Sequence, residues 1–215
     1  MAWISLKTQN LPALALVIIA QVSVAYALSN PEFNWSSVEV FSPDTVVVTL
    51  IMLAAALFSS LLPASVKHQL VYLRLKNALP GHRFLQLAEH DQRIDLLRLK
   101  QKVMPLMQLN VTEEQQNRVW YQHIYHPYQN APLVKDAHKA FLLWRDSVVV
   151  SLFTGLLLAV GVNTVPAVAE VFSQMSFLVS VFFVLATGCA AYHNGKRMVT
   201  NAVVMWLLKP GVCPQ

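Results

Sequence analysis

The apolar positions fall into long unbroken runs towards the two ends of the chain and into short helical stripes in the middle. The first run, Leu11 to Leu28, extends about 27 Å as a helix at about 1.5 Å per residue, close to the thickness of bilayer hydrocarbon. Further runs cover Thr45 to Leu62, Ser147 to Val162 and Val171 to Tyr192. Each predicts a transmembrane helix. Between the second and third runs the pattern changes to the three-and-four spacing of amphipathic helices. Val66, Leu70 and Leu73 continue a helix past a kink at Pro63, until Asn77-Ala78-Leu79-Pro80-Gly81 breaks it. A second helix is expected from about Asp91 to Val103, on the stripe Leu96, Leu99 and Val103. A third follows the capping box Thr112-Glu113-Glu114-Gln115 to about Tyr125, where Pro127 stops it. Pro132 opens a fourth that nothing breaks before Val162, so it should feed straight into the third span. Met198 to Leu208 is too short to cross a bilayer; it reads as an extension of the fourth span in preference to an interfacial helix.

Charge then assigns sides. Twelve of the sixteen Lys and Arg residues lie between Leu61 and Asp146, which places that segment in the cytoplasm. The predicted outer loops, Ser29 to Asp44 and the turn Asn163-Thr164-Val165-Pro166 with Glu170, hold Glu32, Glu39, Asp44 and Glu170 and no base, with Trp35 and Phe41 as interface aromatics. Composition agrees, at 55% hydrophobic and 13% charged residues, where soluble domains carry about a quarter charged. The expected fold is an all-α membrane protein: four transmembrane helices with a helical cytoplasmic domain between spans two and three. Its expected parts are 1–65, 66–146 and 147–215. It should be multi-pass in the cell inner membrane, with both termini cytoplasmic. Lys7, the run to Ala20 and Ala25-Tyr26-Ala27 also have the form of an export signal, but a retained first span is expected. Cys189 and Cys213 should stay reduced on the cytoplasmic side, with no disulfide.

Candidate chemistry is sparse. Walker, GxSxG, HExxH and Rossmann signatures are lacking, so no catalytic residue, metal or cofactor is expected. None of the spans carries an ionised residue near its centre, which disfavours a pump or coupled transporter. The polar residues within or beside the spans, Gln21, Ser59, Ser60, Thr154 and Thr187, read as helix-packing contacts or as pore lining. His123 and His126 are three apart, but a zinc site needs further ligands. A group of His82, Arg83, Arg93, Asp95, His138, Arg145 and Asp146 reads either as ion pairs locking helices or as a site for phosphate or carboxylate. With Arg98, the basic members are the candidates for ligand or partner binding.

The layout of paired spans around a basic helical domain, with Asn77-Ala78-Leu79-Pro80-Gly81-His82-Arg83 and Trp144-Arg145-Asp146, resembles the small multi-pass transmembrane effectors of bacterial antiviral (anti-phage) defence systems, including retron and cyclic-nucleotide systems. The resemblance implies an oligomer that disrupts or permeabilises the membrane when triggered through its cytoplasmic domain. Its partners would be the lipid bilayer, further copies of itself, and a cytoplasmic sensor protein or nucleic acid, with no small-molecule substrate. A membrane anchor or assembly factor that recruits a soluble partner through the basic domain is the alternative. A third reading is an intramembrane enzyme using His82, His123 or His126 as acid or base.

Overall fold

The computed structural model describes residues 5–32, 42–107 and 111–208. Among them every regular element is helical: α1 Leu6–Gln9, α2 Leu11–Ser29, α3 Pro43–Leu61, α4 Ala64–Tyr72, α5 Phe84–Glu89, α6 Leu96–Val103, α7 Glu113–Val119, α8 Pro132–Thr164, α9 Pro166–Val171 and α10 Met175–Leu208. By length and composition α2, α3, α8 and α10 each suffice to cross a membrane. These are the four runs read from hydropathy. Glu39, Trp35, Phe41, Lys209 and Cys213 lie outside the described residues.

Local chemistry explains most boundaries. Pro43 in the first turn of α3, Asp44 beside it and the Ser42 side chain accepting from the Thr45 N–H start that helix two residues before its apolar run. Leu62 is extended and Pro63 separates α3 from α4. The stripe through Leu73 does not hold to Lys76, because Leu73 turns to φ 50° and ends α4 at Tyr72. Asp95 caps α6 by accepting from the Arg98 N–H, so the helix begins at Leu96 instead of Asp91. Thr112 accepts from the Gln115 N–H and opens α7 as its capping box predicts. Beyond Val119 the chain continues as a wider π-type turn, Trp120–Tyr125. α8 runs unbroken from Pro132 into the third apolar run.

The last span departs from expectation at its start. Pro166 opens a short helix, α9, that takes up Val171, and the span itself begins at Met175 after Phe172, Ser173 and Gln174 interrupt the backbone. At its other end Met198 to Leu208 is continuous with the span, as its reading as an extension predicts.

The chain divides into two compact units. The first combines Met1–Val71 with Leu142–Ala190. Its core is Ile18, Val22, Ala25, Ile51, Ala55, Val150, Leu158, Val171, Phe172 and Val179. On α2 the buried positions Ile18, Gln21, Val22 and Ala25 follow one helical stripe, while Leu16, Ile19 and Val24 are exposed. α3 leaves Val46, Leu50, Leu53, Leu57 and Leu61 uncovered along a single face, an apolar surface suited to lipid. The second unit combines Tyr72–Phe141 with Ala191–Gln215. Phe84, Leu99, Val103, Ile124, Val134 and Val199 form its fully buried centre. The helix α5, with Phe84 and Ala88 buried, has no counterpart among the elements that the sequence predicts.

Candidate functional site

In the first unit, a polar seam runs along the buried face of α2. Gln21 is completely buried, and its Nε2 donates to the Ser151 carbonyl on α8 and to Ser180 Oγ on α10, both at 3.2 Å. Ser180 in turn donates to the Ser176 carbonyl at 2.9 Å. Gly155 makes the approach to Ser180 tight, since a Cβ added there would stand 2.7 Å from the serine Cβ. Further along α2, Ser29 Oγ donates to the Ala25 carbonyl and accepts from the Ser173 N–H, each at 2.8 Å. Asn30 donates to the Tyr26 and Val171 carbonyls at 3.0 Å.

Three side-chain atoms of this region are buried without a hydrogen-bond partner: Gln21 Oε1, Ser151 Oγ and Thr154 Oγ1. Helical serines and threonines ordinarily return their hydroxyl to a carbonyl one turn back, as Ser147, Ser180 and Thr187 do here. Ser151 and Thr154, three residues apart on α8, do not. Of the residues expected to line a pore or pack helices, Gln21 and Thr154 thus belong to the buried polar set. Ser59 and Thr187 are also buried, and Ser60 is exposed with its hydroxyl bound to the Leu57 carbonyl at 2.7 Å. Ser151 and Ser180 carry no signal in the sequence, because serine is ordinary in membrane helices; only Gln21 stands out there.

The same unit contains a buried ion cluster. Lys67 on α4 reaches Asp146 Oδ1 at 3.2 Å, and Arg145 reaches the same oxygen through Nε at 3.1 Å and Nη2 at 2.9 Å. Arg145 Nη1 lies 3.2 Å from His68 Nε2. Lys67, Arg145 and Asp146 are 3%, 7% and 6% exposed. Burial pushes the Lys67 ammonium below its ordinary pKa, and the Asp146 carboxylate opposes that shift. Asp146 thus ties α8 to α4 through Lys67, while Arg145, its neighbour on α8, shares the same oxygen; Lys67 is not among the residues that the sequence pattern points to.

In the second unit, Arg93 is a clamp. Its Nε and Nη2 meet the two oxygens of Asp91 at 2.9 and 2.7 Å, while Nη1 donates to Asn201 Oδ1 at 3.0 Å and Nη2 to Thr200 Oγ1 at 3.3 Å. Asn201 passes the tie on by donating to the Leu133 carbonyl at 3.1 Å. The guanidinium bonds, outweighing burial, hold the Asp91 carboxyl at about 2, well under its ordinary range. Beside the clamp opens a groove of about 530 Å³, lined by Leu87, His90, Asp91, Gln92, Arg93, His193, Lys196, Arg197 and Thr200.

The remaining candidates lie apart from it. His82 Nδ1 is 3.1 Å from the Leu79 carbonyl of its own turn, Pro80–Arg83. Arg83 Nε is buried without a partner. Arg98 is exposed on α6, and Asp95 is engaged in capping it. No hydrogen bond or ion pair joins His82, Arg83 or Arg98 to Arg93 among the described residues. His138 Nδ1 meets the Tyr125 hydroxyl at 2.8 Å, and burial pushes that phenol up to about 12. His123 and His126 are exposed. Among the described residues no three His, Cys, Asp or Glu side chains gather as a metal ion requires.

No protein family, curated protein or solved structure matches this chain. Its chemistry must be read from its own residues: an unsatisfied polar seam, a buried ion cluster and a basic groove.

Proposed function

We propose that this protein is a non-enzymatic, oligomeric effector of the cell inner membrane that permeabilises the bilayer when triggered through its charged, cytoplasmic unit. One observation carries the reading. Gln21, Ser151 and Thr154 keep polar atoms buried and unmet inside a unit built from membrane-type helices. In hydrocarbon each such group costs about 1–3 kcal/mol, and water or a polar group from a second copy would remove that penalty. The seam is therefore primed to admit water when the helices part. Since four helices rarely enclose a water path alone, the open form is an oligomer. In the setting that the layout resemblance implies, the trigger is a sensor protein or nucleic acid and the outcome is arrest of an infected cell.

The test is membrane potential on induced expression. The native chain should depolarise cells, and the combined variant Q21L/S151A/T154V should insert to the same level and leave the potential intact. Normal potential at high levels of the native chain would overturn the proposal.

The basic groove favours a second reading, a membrane anchor that recruits a soluble partner. In that case the charged unit retains its partner in pull-down, and charge reversal at Lys196 and Arg197 releases it without any effect on membrane potential.

A further inference from the structure

We propose that the groove beside Arg93 binds a phosphate monoester, with Lys196 and Arg197 as the groups that hold its charge. The inference starts from the charges that line the groove. Asp91 is the one acid among its described lining residues, and Arg93 neutralises it through two short parallel bonds. Lys196 and Arg197 then stand uncompensated, with the imidazoles of His90 and His193 beside them. Arg197 is exposed and has no ion-pair partner among the described residues. The Lys196 ammonium rests 4.4 Å from the centroid of the Tyr192 ring, a contact that positions the cation without neutralising it. A carboxylate ligand would match one of these charges. A phosphate monoester brings close to two negative charges and three acceptor oxygens, enough to meet both cations and a ring N–H together.

The walls are already built for such a ligand. The Arg93 guanidinium is fixed by Asp91, Thr200 and Asn201, and Asn201 is fixed by the Leu133 carbonyl, so this wall of the groove is set before a ligand arrives. His90 is held as well, its Nδ1–H donating to the Gln86 carbonyl at 2.9 Å. At about 530 Å³ the groove falls in the range of small-molecule sites, about 300–1,000 Å³. Phosphate monoesters reach a membrane protein from two sources, a free metabolite-sized ester or a lipid headgroup. The charge argument holds for both, and it stands whether or not the polar seam conducts.

The full-length protein is tested in two arms at constant ionic strength. In phosphatidylcholine nanodiscs, glycerol 3-phosphate is titrated by calorimetry; in detergent, retention of phosphatidic acid against phosphatidylcholine is measured by native mass spectrometry. K196A/R197A should weaken binding by about 10- to 100-fold, the loss of one or two charge-assisted contacts. K76A/R118A removes the same charge from exposed positions outside the groove and should change binding less than about twofold. The single exposed change R197Q, with a melting temperature equal to the native one, guards against misfolding and should give a smaller loss in the same direction. Groove-dependent binding of glycerol 3-phosphate assigns a free ester; groove-dependent retention of phosphatidic acid alone assigns a headgroup. Absence of binding in both arms, or equal losses in the two double variants, would overturn the site.

Discussion

Asp146 is the residue on which the most charge depends. A single carboxylate oxygen takes Lys67 from α4 and both Nε and Nη2 of Arg145, on a residue only 6% exposed. A buried ion pair stabilises little relative to apolar residues of the same volume, because removing the charges from water offsets their attraction. Removing one partner is different, since it strands the other without solvent. Asp146→Asn keeps the shape and leaves two cations facing a neutral amide. We expect a loss of about 3–5 kcal/mol, measured as a lowered unfolding midpoint in detergent. Adding Lys67→Met should recover part of that loss by removing one stranded charge. An unchanged midpoint for Asp146→Asn would mean that water reaches the cluster and screens it. Gln21 differs in kind, because its amide is neutral and its two hydrogen bonds are long. Membrane hydrogen bonds of this type stabilise by about 0.6 kcal/mol on average, so Gln21 is a weak contributor to folding and is free to serve another role.

At the scale of elements, the long helix α10 carries its own point of weakness. Glycine inside a helix destabilises by about 1 kcal/mol relative to alanine, so Gly195→Ala should stabilise if the site were open. It is closed. A Cβ at residue 195 would collide with the Tyr72 hydroxyl and come within 3.1 Å of Phe141 Cδ2. The Tyr72 ring is itself held between Phe141 and Tyr192, with centroids 6.1 and 5.9 Å away. With no slack on either side, Gly195→Ala is expected to destabilise by about 1–3 kcal/mol despite its helix propensity, read by urea unfolding. Stabilisation instead would show that Tyr72 can swing aside. This close approach could not be seen in the sequence, where Gly195 sits among His193, Asn194, Lys196 and Arg197 and marks only a basic, polar stretch. The four long apolar helices were legible, because a run of about twenty apolar residues is long enough to cross a bilayer and exceeds what a buried helix of a small soluble domain needs. The capping box at Thr112 and the unbroken helix from Pro132 were legible too, since each rests on local chemistry. The break at Phe172 to Gln174 was not. It depends on Ser29 and Asn30, more than 140 positions away, which bond the Ser173 N–H and the Val171 carbonyl. The partners of Gln21 in the seam and the place of Lys67 in the ion cluster were hidden likewise, since Gln21 lies 159 residues from Ser180 and Lys67 lies 79 from Asp146.

For the molecule as a whole, orientation decides whether any of this chemistry meets a trigger. Positive charge directs topology chiefly within about 20 residues of a span end, and long segments can cross regardless of their charge. The count that matters is therefore local. Lys67, Arg74 and Lys76 follow α3, while Lys135, Lys139 and Arg145 precede the apolar part of α8. Lys7 lies just before α2, and Lys196 and Arg197 follow the apolar part of α10. Each of the four spans thus has basic residues at one end only. At the opposite ends stand Glu32, Glu39, Asp44 and Glu170 without a base. The four biases agree with one another, which a single long basic loop would not guarantee. Fusion of a fluorescent protein after Met107 should glow in the cytoplasm, and alkaline phosphatase fused after Asn163 should be active outside it. Moving the bias tests the cause: K135Q/K139Q should lower phosphatase activity at Asn163 by weakening the anchor of the third span, whereas Arg98→Gln, farther from any span, should leave it unchanged. Phosphatase activity at Met107 would reverse the molecule, placing Arg93, Lys196 and Arg197 outside and removing any cytoplasmic trigger from the scheme.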